Sequence, residues 1–128
     1  ALRAQLRGVD AHACSAPPAD LCELAALCAE SSVVLTADGG PRHVAQAVGA
    51  RVVCVCGPTD PRHTGEHAPL ASGVRGGTRV VSAYVPCGPC HRERCTRAGD
   101  DELACWRRAA PSLAGELRLA LRAERGAG

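Results

Sequence analysis

The sequence predicts an α/β fold in which a Rossmann-like, doubly wound parallel sheet is covered by helices. Valine-rich runs alternate along the chain with stretches of helical periodicity, which is typical of parallel strands joined by helices. A glycine turn at residues 38–40 lies between one such run and one such helix. The length of 128 residues fits about one domain.

Composition narrows the functional classes. The net charge of +2 is too small an excess to argue for nucleic-acid binding. No run approaches the roughly 18 apolar residues that span a bilayer. The chain has no Lys, Ile, Asn, Phe or Met, which indicates a GC-rich coding sequence, so its arginines are not taken as a sign of phosphate recognition. Since it opens within a helical pattern and without Met, we expect a C-terminal piece of a longer protein.

The first elements follow from caps and spacing. Residues 1–7 predict the end of a helix, and residues 9–14 predict a short strand. The prolines that follow block a helix until Asp20, a predicted N-cap. Apolar residues then recur at helical spacing for about three turns; they are Leu21, Leu24, Ala25 and Cys28.

The centre of the chain predicts a strand–helix–strand unit. Residues 33–35 form a buried strand, and residues 51–56 form a second one. Pro41 suits the first turn of the intervening helix, where its missing N–H costs nothing. Gly49 ends that helix as a C-cap.

The C-terminal part is less regular. Residues 62–77 predict a long loop, and residues 78–85 predict the last strand. An irregular, cysteine-bearing segment occupies residues 86–106. A helix is predicted over 110–125, because leucines recur there every four residues.

The glycine turn predicts a site for a phosphate-bearing ligand. A helix N-terminus presents free N–H groups and the positive end of its dipole. In a parallel sheet, the carboxyl edge where this turn lies is also where ligands bind. Taken alone, the glycines are equally consistent with a simple turn, and His43 with a packed or capping histidine.

Three motifs follow one another in order. Residues 38–43 read Asp-Gly-Gly-Pro-Arg-His, residues 45–49 read Ala-Gln-Ala-Val-Gly, and residues 57–61 read Gly-Pro-Thr-Asp-Pro. With these motifs and the preceding Leu-Cys-Glu-Leu-Ala-Ala-Leu helix, the chain resembles glycosyltransferase family 9, the ADP-heptose:lipopolysaccharide heptosyltransferases. The resemblance covers about residues 17–110.

The resemblance implies the GT-B architecture, with this chain as part of the C-terminal, donor-binding domain. The implied activity is inverting transfer of heptose from ADP-heptose to a lipopolysaccharide-core-type glycolipid acceptor. The acceptor domain and the general base would belong to a missing N-terminal domain, so we expect the chain alone to be inactive. The implied location is cytoplasmic, and it leaves peripheral contact with the inner membrane open.

The resemblance also assigns site residues. Backbone N–H groups of Gly39 and Gly40 would hold the diphosphate, and His43 would stabilise the charge on the leaving ADP. Asp38 would contact sugar hydroxyls or cap the turn. Thr59 would face the same crevice, although it and Asp60 are equally consistent with a proline-flanked type I turn.

One position departs from the family pattern. The family carries a Ser or Thr after the motif's aspartate, whereas this chain has Gly39 there. A side-chain hydrogen bond to phosphate is thereby lost while the backbone donor remains. We expect weaker donor binding or a changed donor preference.

The nine cysteines fall into two groups. Five are interpreted as small core residues; they are Cys14, Cys22, Cys28, Cys54 and Cys56. The other four, opened by a Cys-x-x-Cys pair, predict a structural Zn²⁺ site; these segment cysteines are Cys87, Cys90, Cys95 and Cys105. An iron–sulfur cluster needs the same ligand count. Unpaired or redox-active thiols are a further alternative, and disulfides are disfavoured in the cytosol.

Histidines near these segments leave further options. His91 is a candidate to replace one cysteine as a metal ligand. His63 and His67 lie near a carboxylate in the sequence, but we interpret them as loop residues near the cleft.

Two other functions fit the same sequence. Another GT-B enzyme, such as a nucleotide-sugar 2-epimerase, would share the sheet and the phosphate site. A non-enzymatic, metal-stabilised binding module would instead use the cysteine-rich segment. No cofactor is expected to be required for catalysis.

Overall fold

The computed structural model describes residues 20–64 and 77–125. The helix predicted over 1–7, the strand predicted over 9–14 and most of the loop predicted over 62–77 lie outside the described residues. No helix in the described ranges is both long enough and apolar enough to cross a membrane.

Helices and strands alternate along the described chain. Three parallel strands form one sheet in the order β1-β2-β3, as the α/β prediction requires. The elements are α1 (Leu21–Glu30), β1 (Val34–Ala37), α2 (Gly40–Ala47), β2 (Val52–Cys56), β3 (Thr78–Ser82) and α3 (Ala104–Arg125). Short 3₁₀ turns occupy Pro61–Thr64 and Gly99–Asp101.

The central strand β2 is buried along its whole length and divides the core into two layers. Its alternate side chains point to opposite faces of the sheet. Val53 and Val55 pack on one face against α3, through Ala109, Leu113, Leu117 and Ala120. The other face carries Val52, Cys54 and Cys56, which pack with Cys28, Ala45 and Ala50. Helices therefore cover both faces, which confirms the doubly wound prediction.

The local caps also form as predicted. The N–H of Glu23 donates to Asp20 Oδ1 at 2.8 Å, so Asp20 caps α1. Pro41 lies in the first turn of α2. Gly49 follows α2 with φ of +75°, a left-handed conformation that glycine adopts without steric strain.

The last helix and the last strand differ from the prediction. Helix α3 begins at Ala104, six residues before the predicted Ala110, and continues through Pro111. The N–H groups of Trp106 and Arg107 donate to Leu103 O and open the helix early. Pro111 is tolerated because Ala109 and Leu113 around it pack on the sheet. Strand β3 ends at Ser82, short of the predicted residue 85.

Candidate functional site

The glycine turn lies where β1 ends and α2 begins. The N–H of Asp38 donates to Val55 O at 3.3 Å, which keeps the residue after β1 in register with β2. Gly39 is the N-cap of α2, and no side chain caps it. In the described part of the chain, the N–H groups of Gly39 and Gly40 have no backbone partner. The helix dipole therefore points at the carboxyl edge of the sheet, as predicted.

The space at these two glycines is open. A Cβ atom built on Gly39 or Gly40 would meet no described atom within 4 Å. The φ of Gly39 is 177°, which is extended backbone that any residue adopts. Both glycines are exposed and their N–H groups have no described backbone partner, which is the arrangement that phosphate binding at a helix N-terminus requires.

Asp38 is buried under the turn rather than capping it. Its side chain is 4% exposed, and its Oδ1 atom lies 3.1 Å from Nη1 of Arg42, whose side chain is fully buried. Within the described residues, neither carboxylate oxygen accepts a hydrogen bond of good geometry. The predicted capping role is therefore wrong, because the buried carboxylate faces a guanidinium instead. A contact between Asp38 and a sugar stays a prediction.

Arg42 is the residue that sequence reasoning missed. Its Nη2 atom lies 3.1 Å from Nε2 of His43, whose side chain is exposed. A guanidinium only donates, so Nε2 accepts and a neutral His43 carries its proton on Nδ1. The four-residue spacing between Asp38 and Arg42 on a helix start could have revealed this partnership. Attributing the arginines to a GC-rich coding sequence hides this signal.

The loop after β2 is held from two sides. Gly57 lies against the indole of Trp106, and a Cβ atom at this position would overlap that ring. The Pro58 carbonyl accepts N–H groups from Cys90 at 3.0 Å and from His91 at 2.9 Å. Helix α3 and the cysteine-rich segment thereby fix this loop beside the carboxyl edge of β2.

Asp60 forms the turn that closes this loop. Its Oδ1 accepts the backbone N–H of Arg62 at 3.0 Å, and both its oxygens accept from the Arg62 guanidinium. The Arg62 side chain holds the pKa of the Asp60 carboxyl well below its usual range. Asp60 is therefore a turn former. The Oγ1 atom of Thr59 is buried, and a role for Thr59 in ligand binding stays a prediction.

The segment cysteines do not form a preassembled metal site. Cys87, Cys90 and Cys95 are exposed, Cys105 is half-buried in α3, and all four thiols are free. Burial raises the pKa of the Cys105 thiol. The Leu103 N–H donates to Cys95 Sγ at 3.4 Å. Within the described ranges, no three of these sulfur atoms lie within 4.8 Å of one another, so zinc binding here stays a prediction that requires the segment to close.

The two described histidines of the loops contact each other. The His63 and His91 rings stack with centroids 5.4 Å apart and 12° between their planes. Neither ring joins a group of three described metal-ligating side chains. His67 lies outside the described residues.

A small cavity lies at the base of the cysteine-rich segment. Its volume is about 70 Å³, whereas ligand pockets usually measure about 300–1,000 Å³. Its lining is Val85, Pro86, Cys87, Arg97, Asp101, Ala104 and Arg108. It is too small for a nucleotide and none of its lining residues belongs to the glycine turn, so we do not assign the ligand to it.

Cys54 and Cys56, the sheet cysteines, are core residues as predicted, and so is Cys28. The prediction is wrong for Cys22, which is exposed on α1, and Cys14 lies outside the described residues. The sheet cysteines occupy the same face of β2 with their sulfur atoms 3.8 Å apart. The hydrogen bond between the thiols raises the pKa of Cys54 and lowers the pKa of Cys56. With Asp38 they form the one group of three close metal-ligating side chains in the described part of the chain.

Comparison with known proteins identifies the family. A sequence model described as glycosyltransferase family 9 (heptosyltransferase) matches residues 2–99. No curated protein and no solved structure matches the chain. The matched region contains β1, β2, β3 and the glycine turn, and it covers more than half of the chain. The chain therefore belongs to glycosyltransferase family 9, the heptosyltransferase family.

Proposed function

We propose that this domain binds ADP-heptose at the turn of residues 38–43 and serves in inverting transfer of the heptose to a lipopolysaccharide-core-type glycolipid. Family membership supports a nucleotide-sugar donor and a glycosyl acceptor. The open N-terminus of α2 supports this particular turn as the binding site for the donor's diphosphate.

The observation that carries the proposal is the accessibility of the turn amides. Gly39 and Gly40 are exposed at the positive end of α2, and their N–H groups have no backbone partner among the described residues. A pyrophosphate that accepts from both amides gains two charge-assisted hydrogen bonds, which are stronger than neutral ones. Side chains packed over these glycines would have ruled this out.

His43 is placed to act on the same diphosphate. Its Nε2 atom accepts from Arg42, which leaves the Nδ1–H as the donor to a phosphate oxygen. The buried Arg42 guanidinium, one residue away, holds the His43 ring in this orientation through the same hydrogen bond. We assign leaving-group stabilisation to His43 and the positioning of its ring to Arg42.

The remaining components lie outside this site. We propose that another domain supplies the acceptor site and the general base, so that the present chain binds the donor without transferring it. We propose a cytoplasmic location for the reaction, because nucleotide-sugar donors are cytosolic, and a glycolipid acceptor leaves peripheral contact with the inner membrane open.

Calorimetry with ADP tests the proposal. We expect the parent chain to bind ADP and His43→Ala to bind it several-fold more weakly, because one hydrogen bond to the diphosphate is lost. His63→Ala is the matched control, since it removes an exposed histidine outside the turn. Equal ADP binding by all three chains would remove His43 from the site.

Donor profiling of the complete protein tests the reaction itself. We expect release of ADP from ADP-heptose to depend on a glycolipid acceptor. Conversion of a hexosamine nucleotide without any acceptor would instead identify an epimerase and contradict the transferase proposal.

A further inference from the structure

Three metal-ligating side chains converge directly under the glycine turn. Cys54 and Cys56 are two residues apart on β2, so the pleat directs both side chains to one face of the sheet. Ala37 pairs with Val55 in the parallel register, which brings Asp38, the next residue, level with Cys56. The strand register therefore places a carboxylate beside two thiols.

The distances within this group match those of a tetrahedral metal ion. The two sulfur atoms lie 3.8 Å apart, and all three ligand atoms lie within 4.8 Å of one another. Two thiolates on a tetrahedral zinc ion, with Zn–S bonds of about 2.3 Å, are separated by about 3.8 Å. The sheet cysteines thus already hold the spacing that one shared ion requires.

The environment of Asp38 favours the same interpretation. Its carboxylate is nine-tenths or more buried, and its oxygens accept no hydrogen bond from the described residues. The neighbouring Arg42 guanidinium can remain beside one oxygen while the other binds a metal, as partners of ligating carboxylates commonly do. Two thiolates balance the charge of a divalent ion, and the Asp38 carboxylate is already paired with the Arg42 guanidinium.

We propose that Cys54, Cys56 and Asp38 form a structural site for a thiophilic divalent ion of the zinc class. Water or the buried Thr59 hydroxyl, which lies beside Cys56, completes the tetrahedron. The site is distinct from the segment cysteines and does not depend on the proposed transferase function. Since both sheet cysteines are inaccessible to solvent, the ion enters as the chain folds. Bound there, it fixes the turn from below.

Cadmium uptake during refolding tests the site. The full chain is refolded from denaturant under reducing conditions with cadmium chloride and then desalted. To isolate the site, the four segment cysteines are replaced by serine. We expect about one cadmium per chain, a thiolate-to-cadmium absorption band in the ultraviolet, and a higher melting temperature than the metal-free chain has. Adding Cys54→Ser and Cys56→Ser should abolish all three.

Circular dichroism of each variant separates loss of the site from loss of the fold. A folded chain that lacks the segment cysteines and takes up no cadmium would overturn the proposal. Uptake that survives replacement of both sheet cysteines would overturn it as well. If replacing the segment cysteines prevents folding, the two sheet cysteines are replaced in the parent chain, where the cadmium content should fall by about one ion. An unchanged content there would also overturn the proposal.

Discussion

The glycine turn contacts β2 and residues 86–103 of the cysteine-rich segment contact the loop after β2, but the two regions are built in opposite ways. The turn rests on a buried sheet, and its Asp38–Arg42 pair lies almost wholly out of solvent. The segment has no regular strand or α-helix, and three of its cysteines are exposed. Its described anchors are single hydrogen bonds, such as those to Pro58 O.

The difference shows which features of this domain hold ligand-binding groups in fixed positions. In the turn, strand register, a buried charge pair and a helix start all constrain the same few residues, so the amides hold their positions before any ligand binds. In the segment, ligand-type residues are near one another in sequence without being brought together in space. The number of cysteines in a segment is therefore a weaker indication of a metal site than their burial and their strand register.

The largest effect should come from breaking the buried ion pair. We expect Asp38→Ala to lower the free energy of unfolding by about 3–5 kcal/mol, because it leaves a buried guanidinium without this counter-charge. Urea denaturation measures the change. Glu116→Ala is the control, since it removes an ion pair with Arg79 in which the two side chains are 31% and 44% exposed, and should cost about 1 kcal/mol or less. Similar losses in both variants would contradict the contrast between buried and exposed pairs.

The loop after β2, which packs against Trp106, should be the region whose substitution has the next largest effect on stability. Gly57→Ala places a methyl group in the Trp106 indole, and we expect it to lower the free energy of unfolding by about 1–3 kcal/mol. Gly115→Ala is the matched control: this glycine is exposed in α3 with nothing near its Cβ position, so alanine should stabilise by about 0.5–1 kcal/mol. A neutral Gly57→Ala, measured by the same denaturation, would show that Trp106 does not fix the loop.

A smaller effect is expected from restoring the family's hydroxyl at the turn. The backbone and the free space at Gly39 accept a side chain, so Gly39→Ser should fold normally. One added hydrogen bond of about 0.5–1.5 kcal/mol should tighten ADP binding about two- to tenfold. Gly39→Ala adds the same Cβ without the hydroxyl, and calorimetry should show no such gain. Equal gains from serine and alanine would argue against a hydroxyl–phosphate bond.

The smallest effect should be the pH dependence contributed by Asp60. Arg62 lowers the pKa of the folded carboxyl, so the pair stabilises the fold above the unfolded pKa of about 3.9 and loses that contribution as the pH falls below it. The difference in unfolding free energy between the parent and Asp60→Asn should therefore shrink in acid. Arg62→Gln should remove the same pH dependence. A difference that stays constant with pH would show that Asp60 acts only as a neutral turn former.

Local features of the chain were predictable because they depend on neighbouring residues. The Asp20 cap, the valine run of β2 and the Gly49 terminus each follow from contacts within about one helical turn or from strand periodicity. The open glycine turn belongs to this group as well, since glycine pairs followed by proline favour a helix start. The start of α3 was placed too late because Trp106 joins the helix through packing on the sheet.

The sequence by itself determined the order of the elements, the turn at the edge of the sheet and the family. Tertiary structure alone decided that the Asp38–Arg42 pair is buried beneath that turn, that Trp106 excludes a side chain at position 57, and that two thiols and a carboxylate share one buried point. The physical reason is the separation along the chain over which each interaction acts. Hydrogen-bond periodicity acts over a few residues, whereas burial and the pairing of charges depend on which distant segments the folded chain brings together.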